Sequence, residues 1–479
     1  MLKQLLSCFK AIVNYCRYFS RYLKRLVAHF CLLPVYYVTG ISGRSTAAAI
    51  AEKEGVEKAS LFLEAKYRYF KPASIRFLIA LYQYRMALTK RMISFPDNDY
   101  IIHFCVWGER YTHRAIQFLL SSLLAVDNIP LISKNYAITI LIHCNDTSKE
   151  AVQASSAAKA LQKYAAIKFV MIPKSILTSL QQCQSYPARF RFFRNLNLSN
   201  QDMKFAVLGL LQTHALELAI KNNSFISFFM PDFLLANGML KKAFEKIQER
   251  TAVVSTMYRT PFKETEDFME NYRASNASLS ISSSALTKFK IQNMHQYTKF
   301  QVVAEDTGNF FPCAQMIFKD KYGYIIRAMH YHPILVDCAK INPTINIGCS
   351  TIDTCFFLDN DITEEKVRYE EKVWVCSDSN EMAIIEISDP ITTYATEAYG
   401  RKGDLITYKK ELLMSHVAYM LNSSADAFDR PLHRYFVSYR HKVTSDDIWF
   451  TEDYIDDVQF IDNVYKTVDD QKVTKAGEV

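Results

Sequence analysis

Glycine is scarce in this sequence, with 12 residues in a chain of 479. Folds that hold phosphate in glycine-rich loops are therefore disfavoured. No two cysteines are separated by only two residues, and the 11 cysteines are irregularly spaced, with Cys105, Cys144 and Cys355 inside apolar runs. This usage disfavours a disulfide framework and a zinc site, and it favours a reducing compartment.

Long apolar runs are also missing. A membrane-spanning helix needs roughly 18–20 apolar residues in a row, and the closest candidate, residues 27–41, is shorter and contains His29 and Pro34. Charged residues interrupt the first apolar positions, which disfavours a secretory signal peptide. The sequence therefore predicts a cytoplasmic protein or one that lies on a membrane surface.

The composition is that of a large globular protein with an unevenly distributed charge. Apolar residues make up 49% of the chain and charged residues 22%, which predicts a sizeable core and, at this length, two domains and an arm. Residues 1–95 carry sixteen lysines and arginines against four acids, a net charge of +12, and the last 29 residues carry a net −5. The positive charge points to an anionic partner for the arm.

Residues 2–33 form the most basic part of that arm. Apolar residues recur every three or four positions, and the lysines and arginines fall mostly elsewhere, which predicts an amphipathic helix ending before Pro34. Such a helix either packs on the folded domain with a solvated basic face or lies on an anionic membrane surface. Nucleic acid is not expected as a partner.

Beyond a turn at residues 95–99, short apolar runs alternate with helical patterns. This alternation predicts an α/β fold with a mostly parallel sheet covered on both faces. The first five predicted strands are 100–106, 137–143, 167–172, 224–230 and 252–255. The polar, serine-rich residues 263–310 predict a loop or lid. The expected organisation is a basic helical arm (1–95), a first α/β domain (96–330), a second α/β region (331–455) and an acidic flexible tail (456–479).

Ligands of open α/β sheets bind beyond the carboxyl ends of the strands, and two strand ends here carry suggestive residues. At the first, Trp107, Gly108, Arg110 and Tyr111 follow a strand. A corner of this kind can stack a nucleobase on its aromatic rings and hold ribose or phosphate with Arg110. The alternative is an ordinary strand-to-helix corner with a buried tryptophan.

At the second strand end, the apolar run 224–230 leads directly into Asp232. A divalent cation in a nucleotide site needs only one or two carboxylates, because substrate phosphates supply other ligands. Asp232 is placed for that role and equally for capping a turn, the commoner task of aspartate.

Two further groups of polar residues follow later strand patterns. His330 and His332 lie two residues apart, so both imidazoles face the same way and either complete a metal site or serve the structure alone. Asp378 and Glu381 follow another strand and either contact a substrate or form a turn. Asp353 lies shortly before an apolar run.

Together these pieces resemble a set of largely uncharacterised bacterial glycosyltransferase-like proteins with a GT-A type nucleotide-sugar fold. The resemblance covers about residues 98–390, in order along the chain. The stretches that carry it are 104–111, 121–130, the helix with His214 leading into 228–232 and Gly238, 258–259, 330–333, 350–353 and 378–381.

The resemblance implies a nucleotide-sugar donor near Trp107, Gly108, Arg110 and Tyr111, with Arg259 as a further binding residue. It implies donor phosphate, with Mn²⁺ or Mg²⁺, at Asp232, where typical members carry two carboxylates and this chain has one. His332 is the second candidate metal ligand.

On the acceptor side, Asp353, Asp378 and Glu381 join Asp232 as candidate catalytic residues. The expected activity is glycosyl transfer from a nucleotide sugar to an unknown acceptor. The alternative is a catalytically inactive binding module of the same fold, held on anionic membranes by residues 2–33. A basic arm and an acidic C-terminus would also suit a bacterial protein exported into a host cell.

Overall fold

The computed structural model describes the part of the chain that contains most of these features. The described residues are 77, 80, 81, 83–85, 87, 88, 99–182, 200–299, 301–303, 315–328, 331–341, 369–390, 436 and 439–450. The predicted helix 2–33, Asp353, His330 and the acidic tail lie outside them. Contacts between Cα atoms divide the chain into two compact units. One unit comprises residues 1–92, 174–207 and 348–350, and the other comprises residues 93–173, 208–347 and 351–479.

Helices lie between several of the strands in the described residues. They are α1 (Glu109–Arg114), which continues through a π-helical stretch (Ala115–Leu120) into α2 (Ser121–Leu123), then α3 (Ile129–Ile132), α4 (Asp146–Ala154), α5 (Ser156–Leu161), α6 (Lys174–Gln182), α7 (Asn200–Lys221), α8 (Met239–Ile247), α9 (Phe262–Met269), α10 (Ser283–Gln292), α11 (Gln296–Lys299) and α12 (Tyr369–Lys372). No helix in the described part is long and apolar enough to cross a bilayer.

The strands are short and form three sheets. They are β1 (Tyr100–Val106), β2 (Ile138–Cys144), β3 (Ala166–Met171), β4 (Phe225–Phe228), β5 (Phe233–Leu235), β6 (Ala252–Ser255), β7 (Tyr258–Pro261), β8 (Val302–Val303), β9 (Gln315–Asp320), β10 (Gly323–Ala328), β11 (His332–Asp337), β12 (Val373–Val375), β13 (Ile384–Ser388) and β14 (His441–Thr444).

The largest sheet has seven strands in the order β12-β6-β11-β4-β1-β2-β3. All neighbours pair in parallel except β11, which runs antiparallel to both β4 and β6. This large mixed sheet flanked by helices confirms the predicted α/β class. Two smaller sheets have the orders β14-β10-β9-β8 and β5-β13-β7.

The central strands are buried on both faces, which explains their nearly continuous apolar sequence. On β1, Ile102, Phe104 and Val106 point into one large apolar core. Residues two apart on a strand share a face, so His103 and Cys105 point to the opposite side. That second face is therefore buried but partly polar.

Described strands of the second predicted region pair with strands of the first. β11 and β12 lie beyond residue 330, yet both join the seven-stranded sheet, β11 between β4 and β6 and β12 at the edge beside β6. β13 instead pairs with β5 and β7, which come from the first region. The large sheet therefore contains strands from both sides of residue 330.

The prediction of a loop over residues 263–310 is wrong for its described part. α9, α10 and α11 occupy much of the segment. Serine is common in loops, but it also caps the first turn of helices. The Ser282 hydroxyl accepts a hydrogen bond from the Ala285 amide at 3.1 Å, at the start of α10. Similarly, the Ser155 hydroxyl accepts a hydrogen bond from the Ala158 amide at 3.2 Å and caps the start of α5.

Candidate functional site

The corner after β1 is built around Gly108. Its φ angle of +82° is one that side-chain-bearing residues rarely adopt, which explains glycine at this position. The backbone turns here into α1, and the Thr112 hydroxyl donates to the Gly108 carbonyl at 2.9 Å. Trp107 is half-buried at the same corner. The corner thus sets the direction of α1 at the carboxyl end of β1.

Two arginines of α1 converge on one carboxylate. Arg110 and Arg114 are four residues apart, so they lie on the same face of the helix. Arg110 Nη1 contacts Asp389 Oδ2 at 2.5 Å, and Arg114 Nη2 pairs with Asp389 Oδ1. Asp389 directly follows β13, and Arg114 Nη1 also donates to the Ile387 carbonyl at 3.2 Å. A residue some 270 positions away in sequence is therefore held between the two guanidinium groups.

Asp232 reaches Arg114 from the turn between β4 and β5. Its Oδ2 lies 4.0 Å from Arg114 Nη1, and its side chain is 13% exposed. The Asp232 carbonyl accepts a hydrogen bond from the Ile387 amide at 2.9 Å, which fixes this turn against β13. The two strand ends singled out in the sequence therefore meet at Arg114.

A second carboxylate and a third arginine complete the arrangement. Glu386 on β13 pairs with Arg259 on β7, with Oε1 and Nη2 3.0 Å apart. Burial and the nearby charge of Glu386 raise the pKa of Asp232 to about 7, against the opposing effects of Arg114 and Arg259. Asp232 is therefore partly protonated near neutral pH.

These groups form one unit, which we call the arginine–carboxylate cluster. It comprises Arg110, Arg114, Asp232, Arg259, Glu386 and Asp389. With every member ionised, three positive charges face three negative charges. When Asp232 takes up a proton, the cluster carries a net positive charge and favours an anionic ligand.

A cavity of about 440 Å³ opens at the α1 side of the cluster. Its lining residues are Glu109, Arg110, His113, Arg114, Phe262 and Asp389. The Arg114 guanidinium lies over the Phe262 ring at 4.9 Å, and that of Arg110 lies over the Tyr111 ring at 4.7 Å. Trp107 is not among the lining residues, so Phe262 supplies the aromatic wall that the sequence had assigned to Trp107.

His332, the predicted second metal ligand, is almost fully buried. Its Nε2–H donates to the Phe228 carbonyl, and its ring packs edge-on against Phe233 with centroids 5.0 Å apart. Burial lowers its pKa to about 4. Within the described residues, neither His332 nor Asp232 belongs to a group of three or more ligand-type side chains within reach of one ion.

The interactions of Asp378 and Glu381 are with residues outside the arginine–carboxylate cluster. Asp378 Oδ1 accepts from the Asn380 amide at 2.8 Å, which makes a tight local turn. Glu381 pairs with Lys242 on α8, with Oε1 and Nζ 3.2 Å apart. The turn explanation therefore accounts for Asp378, and an acceptor-side role for either residue stays a prediction.

Sequence reasoning missed Arg114, Glu386 and Asp389. One signal was present for Arg114, since it lies one helical turn after Arg110. Asp389 also comes shortly after an apolar run, residues 382–387, which is the same kind of signal that identified Asp232. Glu386 gave a weaker signal, as a lone acid within the otherwise apolar stretch 382–387. Comparison of the sequence with protein-family models and with curated proteins finds no match.

Proposed function

We propose that this protein is a glycosyltransferase that binds the diphosphate of a nucleotide sugar at the arginine–carboxylate cluster. The observation that carries the proposal is the meeting of the corner after β1 with the end of β4. Arg110 and Arg114 come from the first, Asp232 from the second, and a cavity large enough for part of a nucleotide lies beside them.

The sheet order supports the same proposal. Numbered among themselves along the chain, the seven strands of the large sheet run 3-2-1-4-6-5-7, and only the sixth is antiparallel to its neighbours. This is the arrangement expected of a GT-A type fold. Asp232 follows the fourth strand, where the resemblance implies the carboxylates of the donor site.

The charges of the cluster suit a diphosphate. Guanidinium groups recognise phosphate oxygens with pairs of hydrogen bonds. The Arg110 side chain is 58% exposed, so it retains donors that face solvent beside Asp389. The Phe262 ring on the cavity wall offers an apolar face for the base or the ribose.

Asp232 and Glu386 also fit a divalent cation by ligand type. Mg²⁺ and Mn²⁺ prefer carboxylate oxygens in nucleotide sites. Burial raises the pKa of Asp232 most, and the charge of Glu386 raises it further, so the two carboxylates interact electrostatically. Glu386 thereby supplies the second carboxylate that the sequence around Asp232 lacks. These two residues would hold the ion, which would offset the charge that develops on the leaving diphosphate.

Isothermal titration with UDP-glucose, UDP-N-acetylglucosamine and GDP-mannose, each with and without Mn²⁺, tests the proposal. We expect at least one donor to bind, and Arg110→Met to weaken that binding about tenfold, because one charge-assisted contact to phosphate is lost. Uridine and guanosine should bind far more weakly than their diphosphate sugars. Release of nucleoside diphosphate from the bound donor would then report transfer or hydrolysis.

Lys288→Met is the matched control for this substitution. Lys288 is an exposed cation that pairs with Asp447, as Arg110 pairs with Asp389. The control should leave donor affinity unchanged. Absence of binding by all three donors, or an equal loss in both variants, would contradict the proposed site.

A further inference from the structure

The partly polar face of β1 and β2 carries a second cluster that the proposed function does not use. His103 and Cys105 lie on β1, and His143 lies on β2, where Cys105 and His143 are direct partners in the register. All three side chains point to the same side of the sheet. They are almost fully buried, with exposures of 1%, 6% and 0%.

The potential ligand atoms of these residues converge. His103 Nε2 lies 2.8 Å from His143 Nδ1 and 3.6 Å from Cys105 Sγ. One ligand atom from each of the three residues lies within 4.8 Å of the others. Within the described residues this is the one group of three or more His, Cys, Asp or Glu side chains with that property.

From this geometry we propose that His103, Cys105 and His143 form a buried site for a single thiophilic metal ion, Cu⁺. Two imidazole nitrogens and one sulfur are a ligand set that soft and borderline metals prefer, and such sets form trigonal sites. The site is separate from the arginine–carboxylate cluster and does not depend on the proposed function.

The distances allow a metal with a small adjustment. With metal bonds of about 2.0–2.1 Å to nitrogen and 2.3 Å to sulfur, a nitrogen and a sulfur ligand stand about 3.5–3.8 Å apart. The His103–Cys105 distance of 3.6 Å already falls in that range. Two nitrogen ligands need about 3.3–3.6 Å, so the His103 and His143 rings would separate by roughly 0.5–0.8 Å from their direct hydrogen bond.

A neighbouring residue is placed to orient one ligand. The other ring nitrogen of His143, Nε2, lies 3.0 Å from Nδ1 of His214 on α7. Metal-binding histidines commonly donate their second N–H to an acceptor, which fixes the tautomer. With His143 bound through Nδ1, its Nε2–H donates to His214, so His214 is a positioning residue.

Because the three ligands are buried, the site favours an ion whose charge the ligands neutralise. Among the described groups that perturb the pKa values of His103, Cys105 and His143, none is a carboxylate. Burial keeps both imidazoles neutral, as metal ligands must be. When Cu⁺ binds, the Cys105 S–H bond breaks, the S–Cu bond forms and one proton leaves to solvent. The resulting site is neutral, whereas Zn²⁺ would leave a buried net charge of +1.

The test is anaerobic titration of the whole protein with Cu⁺, added as its acetonitrile complex, followed by copper X-ray absorption. We expect Cys105→Ser and His143→Gln each to lose one bound equivalent, with affinity at that site at least about 100-fold lower. The wild-type spectrum should contain a component with two nitrogen ligands and one sulfur ligand. Binding to the site should release one proton per copper.

Cys144→Ser is the matched control, because Cys144 is also buried on β2 but belongs to the opposite core. It should retain the copper equivalent, and copper should raise its melting temperature and that of the wild type but not that of Cys105→Ser. Melting without metal and circular dichroism check that each variant folds. Equal copper binding by Cys105→Ser and wild type would contradict Cys105 as a ligand and overturn the proposed site. Tighter binding of Zn²⁺ than of Cu⁺ to the wild type would overturn the assignment to a monovalent ion.

Discussion

Replacing Arg114 with methionine is expected to reduce the free energy of unfolding by about 3–5 kcal/mol, the usual loss when one partner of a buried ion pair is removed. The Arg114 side chain is 3% exposed, and it contacts Asp389, Asp232 and the Ile387 carbonyl. Methionine retains most of the volume, so the loss reports mainly the uncompensated carboxylates. Chemical denaturation at pH 7.5 measures the effect.

Arg110→Met is the control for this experiment, because Arg110 pairs with the same Asp389. The Arg110 side chain is 58% exposed, and exposed ion pairs contribute only about 0–1 kcal/mol. Each substitution therefore removes a guanidinium group that pairs with Asp389. The guanidinium group of Arg110 is exposed and that of Arg114 is buried. Losses of similar size in both variants would show that Arg114 is not the electrostatic centre of the cluster.

Replacing Asp232 with asparagine is expected to stabilise the protein at pH 8. The pKa of Asp232 is raised to about 7 in the folded protein, whereas an unfolded aspartate titrates near pH 3.9. The folded state therefore binds the proton more tightly, and the stability that protonation contributes is lost as the pH rises from about 4 to about 7. At pH 8 the wild type bears a penalty on the order of 3 kcal/mol that asparagine avoids.

The same comparison at pH 3 should show almost no difference, since pH 3 lies below the pKa of Asp232 in both the folded and the unfolded state. Thermal melting of both proteins across this pH range provides the measurement. Asp447→Asn serves as a control of opposite sign, because its partner Lys288 lowers the pKa of Asp447 and asparagine there should not stabilise. A pH-independent difference for Asp232→Asn would show that its carboxyl group is not held in the repulsive environment described here.

Much of the fold was predictable because local pattern determines it. The buried strands β1, β2 and β4 appear as short runs of apolar and β-branched residues, and Asp232 and Arg110 stand out because they follow such runs. Both residues belong to one network of ion pairs, which Arg114 and Asp389 connect. No long-range information was needed to single out Asp232 and Arg110.

Two residues of the cluster depend on pairing between distant segments. Glu386 and Asp389 reach the site because β13 pairs with β5 and β7, and no local pattern specifies those partners. Likewise, His103, Cys105 and His143 belong to two strands that looked like ordinary apolar core. Only the parallel register of β1 and β2 places their side chains together.

Donor affinity at two pH values tests the central claim most directly. The diphosphate of a nucleotide sugar does not titrate between pH 6 and pH 8, so any change in metal-free affinity comes from the protein. Both proteins carry His113→Gln, so that the histidine lining the cavity makes no contribution. We predict that the protein with Asp232 binds its best donor several-fold more tightly at pH 6, when Asp232 is protonated, and that the protein with Asp232→Asn binds equally at both pH values. Equal pH dependence in the two proteins, or no donor binding at either pH, would contradict a diphosphate site at this cluster.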